Sequence, residues 1–82
     1  MTTSGAGEIY PGVSVDPAIA HGKPVISGTR VPVAVILHQI AGGQSIESVC
    51  VSYDLTSEQV RAAVGYGASL VTGDEVYVIS PN

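Results

Sequence analysis

Two of the chain's three basic residues, Lys23 and Arg30, fall in the run His21-Gly-Lys-Pro-Val-Ile-Ser-Gly-Thr-Arg-Val-Pro-Val33. Gly22-Lys23 starts like a phosphate-binding loop, but such a loop continues with Ser or Thr, and Pro24 supplies no backbone N–H. Gly28-Thr29-Arg30 leaves two readings open. Arg30 can meet a DNA phosphate or a partner carboxylate, with Gly28 permitting close approach. It can equally pair internally with Asp16 or a helix carbonyl, because a planar guanidinium suits both tasks. The two histidines, His21 and His38, have no i, i+4 partner and no clustered ligand spacing, so no metal site is expected. His21 before a glycine reads as a turn residue, and His38 falls on the outer side of a helix. Cys50 is the single cysteine, which excludes an internal disulfide and any multi-cysteine zinc site. It sits on an apolar helix face, where a thiol behaves as a small inert hydrophobe. No catalytic residue and no cofactor are expected, and an enzyme is not the favoured reading.

These residues are carried by short β segments followed by three helical patterns. Residues 9–15 hold β-formers broken by Pro11-Gly12 and suggest a short strand entered through a turn. Asp16-Pro17 and His21-Gly22 are turn signals, with Ala18-Ile19-Ala20 a brief extended piece between them. Pro24-Val25-Ile26 reads as a further strand, ended by Ser27-Gly28. The first helix is expected to start at Pro32, which suits a first helical position because its missing N–H is not needed there. Val33, Ile36, Leu37 and Ile40 form its apolar face, and Gly42-Gly43 ends it. Ser45 caps the second helix, whose inner residues are Ile46, Val49, Cys50 and Tyr53. Thr56-Ser-Glu-Gln59 is a capping box for the third, with Leu55 stapling onto Val60. Val60, Ala63, Val64, Gly67 and Val71 are expected to face inward, while Gly65 and Gly67 weaken the helix enough to kink or stop it near Tyr66. Ser57, Glu58, Arg61, Ala62 and Tyr66 then lie on its outer side. The three residues Tyr53-Asp54-Leu55 between the second and third patterns match a helix-turn-helix connection. Beyond the Thr72-Gly73-Asp74 turn, residues 75–79 read as a strand apolar on both faces.

Charge limits what such a unit can bind. Charged residues are 12% of the chain, about half of the ~25% usual in soluble domains. The outer surface must therefore expose apolar atoms, and association is the usual remedy. A net charge of −4 argues against gripping many phosphates, since each needs a cation. DNA binding by one copy should be weak and should lean on a homodimer or a partner chain. The N-terminus lacks the basic and apolar regions of a signal peptide, and no apolar run approaches ~20 residues, so a cytoplasmic protein is expected.

Asp16-Pro17, His21-Gly-Lys-Pro-Val-Ile, Gly28-Thr-Arg-Val-Pro-Val33, Ala41-Gly-Gly-Gln-Ser45, Tyr53-Asp-Leu-Thr56 and Glu58-Gln-Val-Arg-Ala-Ala63 occur in an order and spacing that resembles the bacterial domain-of-unknown-function family 433. The resemblance runs from Val15 to about Ala68. It implies a winged or homeodomain-like helix-turn-helix with a short β arm. Many such proteins look like antitoxins encoded beside a small PIN-like ribonuclease toxin, and a C-terminal extension often covers the toxin. The chain departs from the family's pattern at Gly65 and Gly67 and has few basic residues on the third helix.

The expected architecture is mostly α, a three-helix core with a short N-terminal β arm and a C-terminal strand. Residues 1–8 form a disordered N-terminus, 9–71 the β arm and three-helix domain, and 72–82 a tail for dimer or partner contact. The expected function is that of an antitoxin-like protein binding a PIN-like toxin and, as dimer or complex, operator DNA. Lys23, Arg30, Thr56, Ser57, Gln59 and Arg61 are the DNA-binding candidates, and Val76, Tyr77, Val78 and Ile79 the partner-binding ones. The alternative is an interaction or dimerisation module without DNA binding.

Overall fold

Pro11-Gly12 does more than lead into a strand. It joins two, β1 (Gly7–Tyr10) and β2 (Val13–Val15), which pair antiparallel with Gly7 opposite Val15 and Tyr10 opposite Val13. Gly12 takes φ +88°, and its N–H donates to Glu8 Oε2 at 2.9 Å, closing the turn. The register shifts between Glu8 and Tyr10, leaving Ile9 as the extra residue of a bulge. The computed structural model describes residues 7–72, so the expected strand over 75–79 and its partner-binding residues lie outside the described residues. Because β1 begins at Gly7, Gly7 and Glu8 belong to the sheet and not to a disordered leader.

After β2, Asp16 Oδ1 accepts from the Ala18 N–H at 2.9 Å and Asp16 O accepts from the Ile19 N–H at 2.8 Å. This Asx turn leads into a 3-10 turn, Ala20–Gly22, where an extended piece over Ala18-Ile19-Ala20 was expected. Ala20, His21 and Gly22 all have positive φ, which confirms the turn role of His21. The chain then enters β3 (Val25–Ile26), which pairs with β2 through Val13 opposite Ile26. The sheet is three-stranded in the order β1-β2-β3.

Helix α1 is Val33–Ala41. Pro32 is its cap and not its first residue: ψ of 138° keeps it extended, bridged to Val25, while the Val33 N–H donates to Pro24 O at 3.0 Å. The segment before α1 is thus stitched to β3. Gly43, at φ +100°, ends the helix as its sequence position implies. Helix α2 is Ile46–Tyr53, with the Ser45 hydroxyl accepting from the Ser48 N–H at 3.0 Å. Helix α3 is Ser57–Thr72. Its capping box is formed on both sides: Gln59 N–H donates to Thr56 Oγ1 at 3.1 Å, and Thr56 N–H to Gln59 Oε1 at 2.8 Å.

The core comprises Val13 and Ile26 from the sheet, Val33 and Ile36 from α1, Val49 from α2, Leu55, and Val60 and Ala63 from α3. Leu37, Ile40, Ile46, Cys50 and Tyr53 pack around it half-buried, as their spacing implies. Leu55 and Val60 are both buried, as the expected staple requires. Helix α3 touches both other helices and strands β2 and β3, so it organises the domain.

The orientation of α3 is the largest departure from expectation. Val64 and Val71 are 36% and 73% exposed, whereas Tyr66 packs against the core. Val60, Ala63 and Gly67 do face inward as expected, and Gln59 and Tyr66 join them half-buried. The hairpin causes this: Tyr10 meets Tyr66 edge to face with ring centroids 5.7 Å apart, drawing that side of the helix inward. Gly65 and Gly67 do not break α3. A Cβ at Gly65 would lie 2.8 Å from the Tyr10 hydroxyl, and one at Gly67 would lie 2.9 Å from Leu37 Cδ1. At both glycines a Cβ would require the far end of the neighbouring side chain to shift.

Candidate functional site

The connection between α2 and α3 is built from three locally determined parts. Asp54 takes the left-handed conformation (φ 57°, ψ 50°), tolerated by Asp because its short polar side chain can bond locally. Leu55 follows, its N–H bonded to Cys50 O at 2.9 Å and its side chain buried. Thr56 then opens the capping box. Together they set α3 in a defined orientation after a three-residue turn.

The first turns of α3 are the surface this connection presents. Ser57, Glu58 and Arg61 are exposed. Thr56 and Gln59, by contrast, have their side-chain oxygens committed to the cap, and Gln59 is half-buried. Of the α3 candidates, Ser57 and Arg61 are therefore free to reach outward, and Gln59 keeps only its amide NH₂. Ala62, expected on the outer side, is half-buried beneath Gly12. A hollow of about 430 Å³ lies beside this helix start, bounded by Pro11, Gly12 and Ser27 on the arm and by Thr56, Glu58 and Gln59.

Arg30 projects from a separate, hydrogen-bonded turn. Gly28 at φ +81° lets the chain reverse after β3, and the Thr29 N–H donates to Ile26 O at 2.9 Å. Thr29 Oγ1 also donates to Ile26 O at 2.7 Å and accepts from the Val31 N–H at 3.0 Å. No atom lies within 4 Å of where a Gly28 Cβ would sit, so glycine serves the dihedral here and not a close approach. Arg30 is exposed and lines an open hollow of about 470 Å³ with Asp16 and Thr29. Asp16, the internal partner considered for it, spends Oδ1 on its own turn. Ser14 and Ser27 hydroxyls bond each other beneath the arm.

Lys23 is exposed at a third place, the Lys23-Pro24 corner, and its N–H donates to Ala20 O at 3.1 Å. Lys23 and Arg30 line different hollows, and Arg61 lines neither. No one of these hollows gathers all three cations. Among the described residues no group of three or more His, Cys, Asp or Glu is placed to hold a metal ion. His38 is exposed on α1.

Sequence reasoning missed Leu70 and Asp54 as residues that shape these surfaces. Leu70 follows Ala63 by seven positions, a spacing that puts it on the same side of α3, where it lines a groove while staying exposed. Asp54 directly precedes the capping box, where the left-handed end of a helix is expected.

The fold and its exposed surfaces define a small mixed α/β domain, three helices joined to a three-stranded antiparallel N-terminal sheet. The chain belongs to the family described as protein of unknown function, DUF433, whose profile matches residues 13–67. Among solved structures it is similar to the crystal structure of Rv2018 from Mycobacterium tuberculosis, at 35% identity and a TM-score of 0.58. That similarity covers 63% of this chain but 24% of the other, so the chain spans about a quarter of that protein's length. No curated protein matches the chain. Among the described residues no helix is long and apolar enough to cross a membrane.

Proposed function

We propose that α2, the three-residue turn and α3 act as a helix-turn-helix in an antitoxin-like protein of a bacterial toxin–antitoxin pair. The observation that carries this reading is the reciprocally capped, outward-facing start of α3, with Ser57 and Arg61 exposed beyond a turn locked by Asp54, Leu55 and Thr56. In helix-turn-helix proteins the first turns of the second helix meet base edges. Arg30, exposed on its own turn, contacts a phosphate or a partner carboxylate. A homodimer, or a complex with a PIN-like ribonuclease, supplies the cationic surface that one acidic copy lacks. The end of α3 and residues 72–82 face that protein partner in a cytoplasmic complex.

A protein-interaction module without DNA binding is the second reading. It is favoured by the net charge of −4 together with exposed Val51, Leu70 and Val71. A gel-shift titration on DNA from upstream of the chain's own reading frame separates the two. It is run with and without the co-expressed product of the neighbouring gene. A shift that appears or tightens with the partner supports the first reading. Co-purification without any shift supports the second, and neither shift nor co-purification defeats both.

A further inference from the structure

Leu70 follows buried Ala63 by seven positions on α3 and yet is 60% exposed. The burial of this side of α3 falls from buried Ala63 through half-buried Tyr66 to exposed Leu70. What it faces is an apolar groove of about 220 Å³ between the Lys23-Pro24 corner, Pro32, Ala34 and Leu37 at the start of α1, and Tyr66 and Leu70 of α3. Lys23 is the single charged residue of its lining. The groove has the character of an unfinished end of the core.

We propose that this groove is the docking site of the chain's own residues 76–79, folded back in cis. The sequence directly after α3 supplies what such docking needs. Gly73 is a residue that can take the left-handed conformation and reverse the chain at a helix end. Asp74 and Glu75 follow, an acidic pair complementary to Lys23 at the rim. Val76, Tyr77, Val78 and Ile79 then form an uninterrupted apolar run, which spans roughly 13 Å when extended. Only a few residues separate Leu70 from this run. A connection this short holds the segment at an effective concentration in the millimolar range. A second copy at micromolar concentration offers the same segment about a thousandfold more dilutely, so the chain's own segment wins unless the turn cannot close. The inference concerns how the free chain completes its core and does not depend on the DNA or toxin reading.

Cysteine cross-linking in the full-length chain tests it. In a Cys50→Ala background, Ala34→Cys is combined in turn with cysteine at 76, 77, 78 or 79, and the protein is oxidised at low micromolar concentration. The expected product is an intramolecular disulfide in at least one pair, seen as a monomer on a non-reducing gel with both thiols consumed. Val51→Cys, on the exposed side of α2 at 84% exposure, should not link to any of the same tail positions. Leu70→Asp alters an exposed position that the fold tolerates, which its melting curve verifies. It should slow the cross-link at least tenfold. A disulfide-linked dimer in place of the closed monomer would assign the groove to a second copy and overturn the proposal. Absence of any cross-link, equal linking to Val51→Cys, or indifference to Leu70→Asp would overturn it as well.

Discussion

Gly12 and Arg30 both occupy turns, and the structure gives them opposite kinds of importance. Gly12 combines φ +88° with a would-be Cβ only 2.7 Å from Ala62 Cβ, an atom that cannot swing aside. Gly12→Ala should therefore destabilise the domain by about 2 kcal/mol or more, from left-handed strain plus overpacking, measured by denaturant unfolding. Gly65→Ala should be far milder. Its gain of about 1 kcal/mol in helix propensity offsets displacement of the Tyr10 hydroxyl, the far end of a side chain. Equal costs for the two would show that α3 and the hairpin are not in this contact. Arg30 is exposed on a turn whose hydrogen bonds run through Thr29. Arg30→Ala should leave Tm nearly unchanged while weakening binding of DNA or of the protein partner. A fall in Tm of more than ~8 °C, over 1 kcal/mol for a domain of this size, would mean that Arg30 holds the fold instead.

Among the elements, α3 carries the most consequence, and its start is its best-defined part. Thr56→Ala removes one arm of a reciprocal cap and should cost about 1 kcal/mol. Each side chain bonds the other residue's backbone N–H, so neither substitution removes the partner of the other bond, and Gln59→Ala should add its own cost to that of Thr56→Ala. A double-mutant cycle on unfolding free energies checks this, and a coupling energy well above ~0.5 kcal/mol would contradict two separate bonds. The cap also bears on recognition: Thr56 and Gln59 cannot serve both the helix end and a base edge at full strength. Substitution of Arg61 should therefore affect DNA binding more than substitution of Thr56, once each is compared at equal folded fraction. The far end of α3 has a different task, since Leu70 and Val71 leave the body of the domain still apolar.

At the scale of the whole molecule, charge is the controlling quantity. Lys23, Arg30 and Arg61 are the entire basic inventory, so a dimer has at most six cations to offer phosphates. With a slope of about −0.9 per neutralised phosphate, the log–log salt plot of DNA binding should be shallower than roughly −5. A much steeper slope in the purified chain would reveal phosphate contacts beyond these residues. Light scattering at micromolar concentration should show at least a dimer, because exposed Val51, Val64 and Val71 add to a surface already poor in charge. A soluble monomer across that range would remove the dimer from the proposed function.

The helix caps, the turn before α3 and the ends of α1 and α2 were legible in the residues alone. Each rests on hydrogen bonds closed within three or four positions: Ser45 to Ser48, Thr56 to Gln59, and the left-handed Gly43 after α1. Family membership was legible for a similar reason, since its motifs are short and ordered along the chain. The inner face of α3 was not. With glycines at 65 and 67 and apolar residues on several sides, its sequence allows more than one stripe, and local bonding is the same for each. The Tyr10–Tyr66 contact and the Leu37–Gly67 approach chose among them. Those contacts join residues distant in sequence, so the rotation of α3 and the role of its glycines are decided only when the sheet and helices pack together.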